Sequence, residues 1–592
     1  MQSLLKKLNT EISVRRYHAW IFGILFAGVV VTAIVSVVLA YAYFLGIPRA
    51  KLVTEIPAPI RSIVDDVRDL PFSLYIFRSS DLTKYDLQIS DKDLAKLSLA
   101  LPTNPSEFLT SANREKVDAI FIADSLPRQV RVGYRGDKWR HWFNDKKSWT
   151  IRFKSDDLLN DQSEIKLIVP FDRLYIGEFF NGYRASKLGL PVPKDEMVLL
   201  SINNGPNALY YQQEGWTTDY LEKSFGTSNG NLYGEKNLED KIFTSSFFWK
   251  KYISIQGEED DFSDLDYLLN LINNSSDAEF KENIDDVLDI DTFINWMLHS
   301  ILSGSTHQGD IHNARLFFNN ELKKFFMIPW DVSLTLYSSL FQLPEFTNNP
   351  EFYDIDYDYN PLVTRVLNIS EYRDERNKRL WEYVSDDYNL TEDLSFYDKT
   401  YDEVKSSLFN DSLKLWRNEV AENDIMRTRS IIKQNFYFLK QQLSRATLGL
   451  TVTQELDLSL VPVVMELSHQ SASGIMVHGV TLTGQLSNPS LELSMYADVN
   501  EDGLLDSGDQ FIAKLKQNGD TYYNSDVGIV LNSDREVSGS TGPVKVNVTK
   551  TKFLFTTSSL ATFDIETVNI QTYNSVTGVL IEPIIHVQSS RI

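Results

Sequence analysis

The spacing of apolar positions divides the chain into four textures. From Ala19 to Ile47 there is no charge for 29 positions, in a run rich in Val, Ile, Leu, Ala and Phe. That exceeds the roughly 20 residues a helix needs to cross a bilayer, so one transmembrane helix is expected over 19–47. Trp20 at one end and Tyr41, Tyr43 and Phe44 at the other are the aromatics expected at the two interfaces. A secretory leader would carry an apolar region of about 7 to 15 residues, shorter than this one. Pro48, Pro57 and Pro59 then mark a stiff linker over 48–69.

Next comes a stretch of mixed periods. Phe72–Phe77 reads as a strand and Ser90–Leu101 as a helix, followed by period-two alternation in Ala119–Ala123, Val130–Tyr134 and Trp149–Phe153. Phe171–Leu188 reads as a helix closed by Gly189 and Pro191. Met197–Ile202 and Leu209–Gln213 are two strands joined by an Asn-Asn-Gly-Pro turn. From 217 to 447 the period is mainly helical, including acidic 258–291, apolar Phe293–Leu302 and a long amphipathic run from Tyr401 to Arg445. Within it Ala314–Phe318 and Lys324–Ile328 read as a hairpin. From 450 to 592, short runs of Val, Thr, Ser and Leu without helical period predict a separate β-sandwich.

Composition narrows the function classes. The 592 residues include no cysteine, which removes disulfides, thiolate metal sites and cysteine nucleophiles. Charges of 58 basic against 81 acidic residues give a net charge of -23, and no basic stripe offsets it, so nucleic acid is not an expected partner. Lys6, Lys7, Arg15 and Arg16 precede the apolar run, with Glu11 the one acid among them, and only Arg49 and Lys51 follow it closely. The positive-inside rule then puts residues 1–18 in the cytoplasm and the bulk of the chain outside a bacterial cell membrane. No paired-His zinc motif or Gly-x-Ser-x-Gly element is present.

One loop reads as a calcium site. Asp498, Asn500, Asp502, Asp506 and Asp509 occupy loop positions 1, 3, 5, 9 and 12, with the Leu504 carbonyl at 7 and Gly503 at 6. Bound Ca2+ would stiffen a β-domain that has no disulfides.

A second constellation is spread along the chain. Lys146 and Lys147 open the strand at Trp149, the helix 171–188 carries Glu178, two strands follow, and then the helical half begins. This order is that of a kinase N-lobe, in which a lysine holds nucleotide phosphates and a helix glutamate positions it. Downstream lie Gly309-Asp310-Ile311-His312-Asn313 and Pro329-Trp330-Asp331. Phosphoryl transfer needs such groups: a carboxylate to orient the attacking hydroxyl, and an Asn and a second carboxylate to hold magnesium.

These stretches resemble the CotH kinase-like family, bacterial proteins distantly similar to protein kinases. The matching elements are Arg135-Gly136 with Lys146-Lys147-Ser148-Trp149, Leu209 to Glu214, Gly230-Asn231-Leu232-Tyr233, His312-Asn313 through Leu316-Phe317, and Ile328-Pro329-Trp330-Asp331. The resemblance spans roughly 70–447. It implies a two-lobed α+β domain, with a β-rich N-lobe and a mainly helical C-lobe, that uses ATP and Mg2+. It gives Lys146 the phosphate-binding role, with Lys147 as the alternative, and makes Asp310 the catalytic aspartate. Asn313 and Asp331 would hold magnesium, Glu214 would end the strand leading to the adenine, and Glu178 would partner the lysine. Ala208 stands where the family usually has glycine. Gln308 stands five residues before Asn313, and in that register the catalytic carboxylate would be absent.

Two functions follow from this reading. One is a membrane-anchored kinase acting on Ser, Thr or another hydroxyl of an envelope protein. The other is a catalytically inactive kinase-like surface protein with a structural, adhesion or partner-binding role.

Overall fold

The computed structural model of the chain describes residues 69–236, 241–305, 307–310, 313–332, 353–357, 360–455, 457–536 and 543–589. Its first architectural unit is a closed seven-stranded barrel. The strands are β1 (Lys84–Gln88), β2 (Val117–Ala123), β3 (Leu126–Tyr134), β4 (Trp149–Arg152), β5 (Glu164–Ile168), β6 (Asp195–Ile202) and β7 (Ala208–Glu214), in the order β1-β2-β3-β4-β5-β7-β6. Closure comes from β1, which pairs antiparallel with β2, Leu87 opposite Phe121, and parallel with β6, Tyr85 opposite Leu200. Alternate residues of β2 point inward, so Val117, Phe121 and Ala123 join Val132, Ile151, Ile165, Leu167 and Val198 in one apolar core. The short helix α1 (Asp91–Leu99) is capped by Ser90, whose hydroxyl accepts from the Asp93 N–H.

Between β5 and β6 lies α2 (Gly177–Lys187). The helix expected over Phe171–Leu188 is shorter at its start, because Pro170–Arg173 is a 3-10 turn and Leu174 and Tyr175 have φ of 49° and 61°. Two consecutive left-handed residues cannot continue a right-handed helix. The strand expected at Phe72–Phe77 is part of a 3-10 helix, Leu70–Phe77; its apolar residues do not alternate, and Pro71 lacks the N–H a ladder needs.

The helical half contains α3 (Thr218–Phe225), α4 (Ser263–Asn274), α5 (Asp277–Val287), α6 (Ile290–Ser303), α7 (Pro361–Leu367), α8 (Ser370–Ser385), α9 (Asp387–Asn410) and α10 (Asn418–Ser444). A four-stranded sheet, β8 (Gly230–Glu235), β9 (Trp249–Ile253), β10 (Arg315–Asn319) and β11 (Lys324–Met327), is set in it in the order β11-β10-β8-β9. The expected hairpin is β10 and β11, with Leu316 opposite Met327. Helix α6 is buried through most of its length, from Phe293 and Trp296 to Leu302, and forms the middle of this core. The single run expected from Tyr401 to Arg445 divides into α9 and α10 around Asp411.

From Ala446 onward two sheets face each other. The six-stranded one runs in spatial order 510–514, 494–498, 549–556, 463–471, 446–454 and 584–589, and the five-stranded one is centred on 475–486 paired with 563–574. Leu450, Met465, Val477, Leu482, Phe553 and Phe563 fill the space between them. This sandwich is joined to the helical half: Tyr353–Tyr357 pairs with Pro543–Val546, and the Asn574 amide donates to the Leu443 carbonyl at 2.9 Å.

One part of the expected fold class is corrected. Among the described residues no helix is long and apolar enough to cross a membrane, and the run 19–47 with its flanking basic residues lies outside the described residues. The architecture is α+β, and its β-rich N-terminal region is a closed barrel.

Candidate functional site

The Pro329-Trp330-Asp331 element follows β11, and Asp331 holds φ of 55°, a left-handed conformation that a non-glycine residue adopts at a local cost. Its carboxylate is buried and ion-paired with Arg173, and His307 Nδ1 lies 3.6 Å from Oδ2 and 2.9 Å from the Asp331 carbonyl. Burial opposes ionisation of Asp331, but Arg173 and His307 outweigh it and hold the carboxyl well below the usual range. Asn313, also left-handed at φ of 61°, puts Nδ2 2.9 Å from His307 Nδ1. His307 thus joins Asn313 to Asp331, two positions far apart in the sequence pattern. His312 lies outside the described residues.

Helix α2 approaches the same place. Glu178 Oε1 accepts from the Val332 N–H at 3.2 Å, and Asn181 donates to the Val332 carbonyl at 3.1 Å. The other oxygen, Glu178 Oε2, is buried and has no hydrogen-bond partner among the described residues. Burial pushes the Glu178 carboxyl up to about 7 against the opposing pull of Arg173.

The lysine facing this region is Lys166 of β5. It is 7% exposed, and its ammonium lies 4.8 Å from the ring centres of both Trp216 and Trp330. Among the described residues it forms no ion pair. Burial and the positive charges of Arg135, Arg315 and Arg173 hold its ammonium well below the usual lysine range. The Arg135 guanidinium contributes a buried Nη1 with no hydrogen-bond partner. Arg315 is committed, pairing with Glu235 through both of its terminal nitrogens.

The expected lysines are placed elsewhere. Lys146 is buried and ion-paired with Asp411, which also accepts from the Leu209 and Leu413 N–H groups at 3.0 Å each. Lys147 donates to the Asn144 carbonyl at 2.6 Å. Glu214 ends β7 with its carboxylate 3.2 Å from Lys223 Nζ. Asp310 is half-buried, and its backbone carbonyl accepts from Ile242 N at 2.8 Å. Gln308 is buried, donating to the Trp330 carbonyl at 3.1 Å and accepting from Ser300 at 3.1 Å. Its amide therefore braces the Trp330-Asp331 turn. The structure brings Asp331, Asn313, Glu178 and Arg173 together and adds Lys166, which the periodicity did not single out. The available signal was order: Glu164-Ile-Lys-Leu-Ile168 is the strand immediately before the Glu178 helix, one strand nearer than Lys146.

Among the described residues no group of three or more carboxylate or imidazole side chains is arranged to hold a metal ion. The donors near Asp331 are nonetheless oxygens of the kind magnesium takes: the Asp331 carboxylate, the Asn313 amide and the unpartnered Glu178 Oε2. In the 498–509 loop the side chains bind their own backbone. Asp498 accepts from Gly503 N at 2.9 Å, Asp502 from Leu504 N at 2.7 Å, Asp506 from Gly508 N at 2.6 Å, and Asp509 from Val499 N at 3.1 Å. Asn500 donates to Asp506 at 2.9 Å, and Asp498 Oδ1 is buried and unpartnered.

Residues 132–419 match the family described as CotH kinase protein. Over 326 residues the chain is 26% identical to the inner spore coat protein H of Bacillus subtilis (strain 168), covering 51% of this chain and 81% of that protein. The matched segment contains Arg135, Lys166, Arg173, Glu178, Asn313 and Asp331, and through it this chain is a CotH-like family member.

Proposed function

We propose that the buried charged cluster beside Trp330-Asp331 binds ATP with magnesium and passes the γ-phosphate to a Ser, Thr or other hydroxyl of a protein acceptor. The observation that carries this reading is Lys166, a buried ammonium with no ion pair among the described residues, on the strand before α2 and against the residue that precedes Asp331. Burying an unpaired cation is costly, and an arriving phosphate would offset that cost. Arg135 Nη1 offers a second donor to the same anion. Lys166 takes the phosphate role in this proposal because Lys146 is committed to Asp411.

Asp331, Asn313 and Glu178 would hold magnesium, which when bound neutralises phosphate charge; Asp310 supplies the carboxylate for the acceptor hydroxyl. Catalysis of phosphoryl transfer is mostly positioning and charge stabilisation, which fits a site of fixed charges. The similar Bacillus protein is named for the inner spore coat, and we place the acceptor accordingly among proteins of a bacterial envelope or coat layer. A non-catalytic role in the same layer is the second reading, favoured by the pairing of Asp331 with Arg173. In the β-sandwich, Asp498, Asn500, Asp502, the Leu504 carbonyl, Asp506 and Asp509 would take Ca2+, with the unpartnered Asp498 Oδ1 as the vacant donor.

The test is ATP binding with and without magnesium, and transfer of the γ-phosphate to the chain itself and to added protein. Transfer lost in both Lys166→Met and Asp331→Ala supports the kinase reading. Transfer that survives Asp331→Ala refutes it, and a chain that takes no ATP supports the second reading.

A further inference from the structure

Arg173 is paired directly with Asp331, the carboxylate proposed above to hold magnesium. It ends the 3-10 turn Pro170–Arg173, and the left-handed pair Leu174 and Tyr175 fixes the direction of the chain directly after it. Its Nη1 pairs with Asp331 and also lies 2.9 Å from Asp172 Oδ2, so the two carboxylates share one guanidinium nitrogen. Asp172 is held in turn by His141 Nε2 at 3.2 Å, and all three side chains are buried or nearly so. Asp172 therefore gives Arg173 a buried counter-charge of its own even when Asp331 is withdrawn.

Around Arg173 the carboxylates of Asp331, Asp172 and Glu178 are set against Lys166 and Arg135, which form no ion pair among the described residues and lie close enough to Arg173 to feel its charge. Against them, Asp331 has Oδ1 taken by Arg173 and Oδ2 facing His307 at 3.6 Å. A divalent cation reaching Asp331 must displace Arg173, and the displaced guanidinium needs an anion. The phosphate that arrives with the metal is that anion, and a guanidinium is well suited to phosphate oxygens.

We propose that Arg173 is a phosphate-binding residue that masks Asp331 in the ligand-free chain and exchanges that carboxylate for the nucleotide's phosphates when metal and nucleotide enter together. The proposal rests on the nucleotide-binding reading above and adds to it a coupling between the two ligands. Free metal is excluded because Arg173 holds its ligand, and free nucleotide binds poorly because Arg173 is already paired.

The experiment uses the full chain with Mn2+ alone, ATP alone and both. Mn2+ binding is followed by loss of the free-ion electron paramagnetic resonance signal and ATP binding by calorimetry. In the unmodified chain each ligand is expected to tighten the other at least tenfold. Arg173→Met is expected to bind Mn2+ alone at least tenfold more tightly and ATP less tightly, and to bring the coupling close to one. Arg173→Lys, which keeps the charge and guards against misfolding, is expected to fall between the two. If the unmodified chain binds Mn2+ and ATP together but Arg173→Met and Arg173→Lys leave Mn2+ affinity and coupling unchanged, the masking role is overturned. If the unmodified chain binds no ATP under any condition, the nucleotide-binding reading fails, and the masking proposal with it.

Discussion

Lys166 lies on β5 of the barrel and Trp330 in the turn that follows β11, yet the ammonium of one lies 4.8 Å from the ring centre of the other. A cation over an indole face gains electrostatic attraction but no neutralisation, so Lys166 is held in place without being satisfied. Two consequences follow for Lys166→Met. ATP affinity is expected to fall at least tenfold, measured by calorimetry, because the phosphates lose a buried donor. Thermal stability is expected to stay the same or rise, because replacing an unpaired buried charge by an apolar side chain of similar length removes a desolvation cost. A variant that unfolds would mean that Lys166 has a structural partner.

Lys146 is expected to behave in the opposite way. Its ammonium is the charge partner of Asp411, and Asp411 links β7 through Leu209 N to the turn after α9 through Leu413 N. Removing one partner of a buried pair leaves an uncompensated charge, so Lys146→Ala is expected to cost about 3 kcal/mol in chemical denaturation. Nucleotide affinity of the folded protein should change by less than about threefold, since 1.4 kcal/mol corresponds to tenfold. The double change Lys146→Met with Asp411→Asn should recover much of the stability. A large loss of ATP affinity in folded Lys146→Ala would return the phosphate role to that residue.

What the sequence made legible was set by local physics. The Leu316–Met327 hairpin was marked by its Asn319-Asn320 turn, and the Phe121-containing strand and sandwich strands such as 463–471 alternate inside and outside residues, so their periods could be read directly. Strand β5 could not, because Lys166 sits in its apolar run and four of its five residues are buried. With that strand unread, Lys166 was not among the candidates and the lysine expectation fell on Lys146. Asp331 was legible because Pro-Trp-Asp is a compact motif, whereas its partner Arg173 lies 158 positions away and is brought to it only by the fold. The late start of the expected helix, at Gly177, was hidden too, since nothing in Leu174-Tyr175 marks a left-handed pair.

Acid is expected to weaken the sandwich through His469. Its ring lies 3.2 Å from Ser533 Oγ and 3.1 Å from Thr551 Oγ1, and burial pushes the imidazole down to about 4 against a small opposing pull from Asp534. The folded state therefore disfavours protonation relative to the unfolded chain. The contribution of His469 is fully present above the unfolded value near 6.5 and is lost as pH falls from there toward 4, by up to about 3 kcal/mol. His299, buried against the Asn181 carbonyl and also pushed down to about 4, adds to the slope in the same window. Urea denaturation from pH 7 to 4 should show this loss, and His469→Gln should flatten part of it. An unchanged slope in that variant would remove His469 as a cause.

Calcium is expected to act on the sandwich alone. The 498–509 loop already holds Asp498, Asp502, Asp506 and Asp509 in place through backbone N–H groups, and the buried Asp498 Oδ1 has no partner. A hard cation would satisfy that oxygen and replace the donors now supplied by Asn500 Nδ2 to Asp502 and Asp506. Ligand that binds only the folded state stabilises it by mass action, so Ca2+ at about ten times its dissociation constant should add about 1.4 kcal/mol to the sandwich transition. Calorimetric scans with 1 to 10 mM Ca2+, compared with equal Mg2+ and with Asp506→Ala, measure this. The rise should appear with Ca2+, be small with Mg2+, which dehydrates reluctantly and prefers fewer protein ligands, and vanish in the variant. A Ca2+-dependent rise of equal size in Asp506→Ala would place the ion elsewhere, and no rise at all would leave the loop as a turn braced by its own hydrogen bonds.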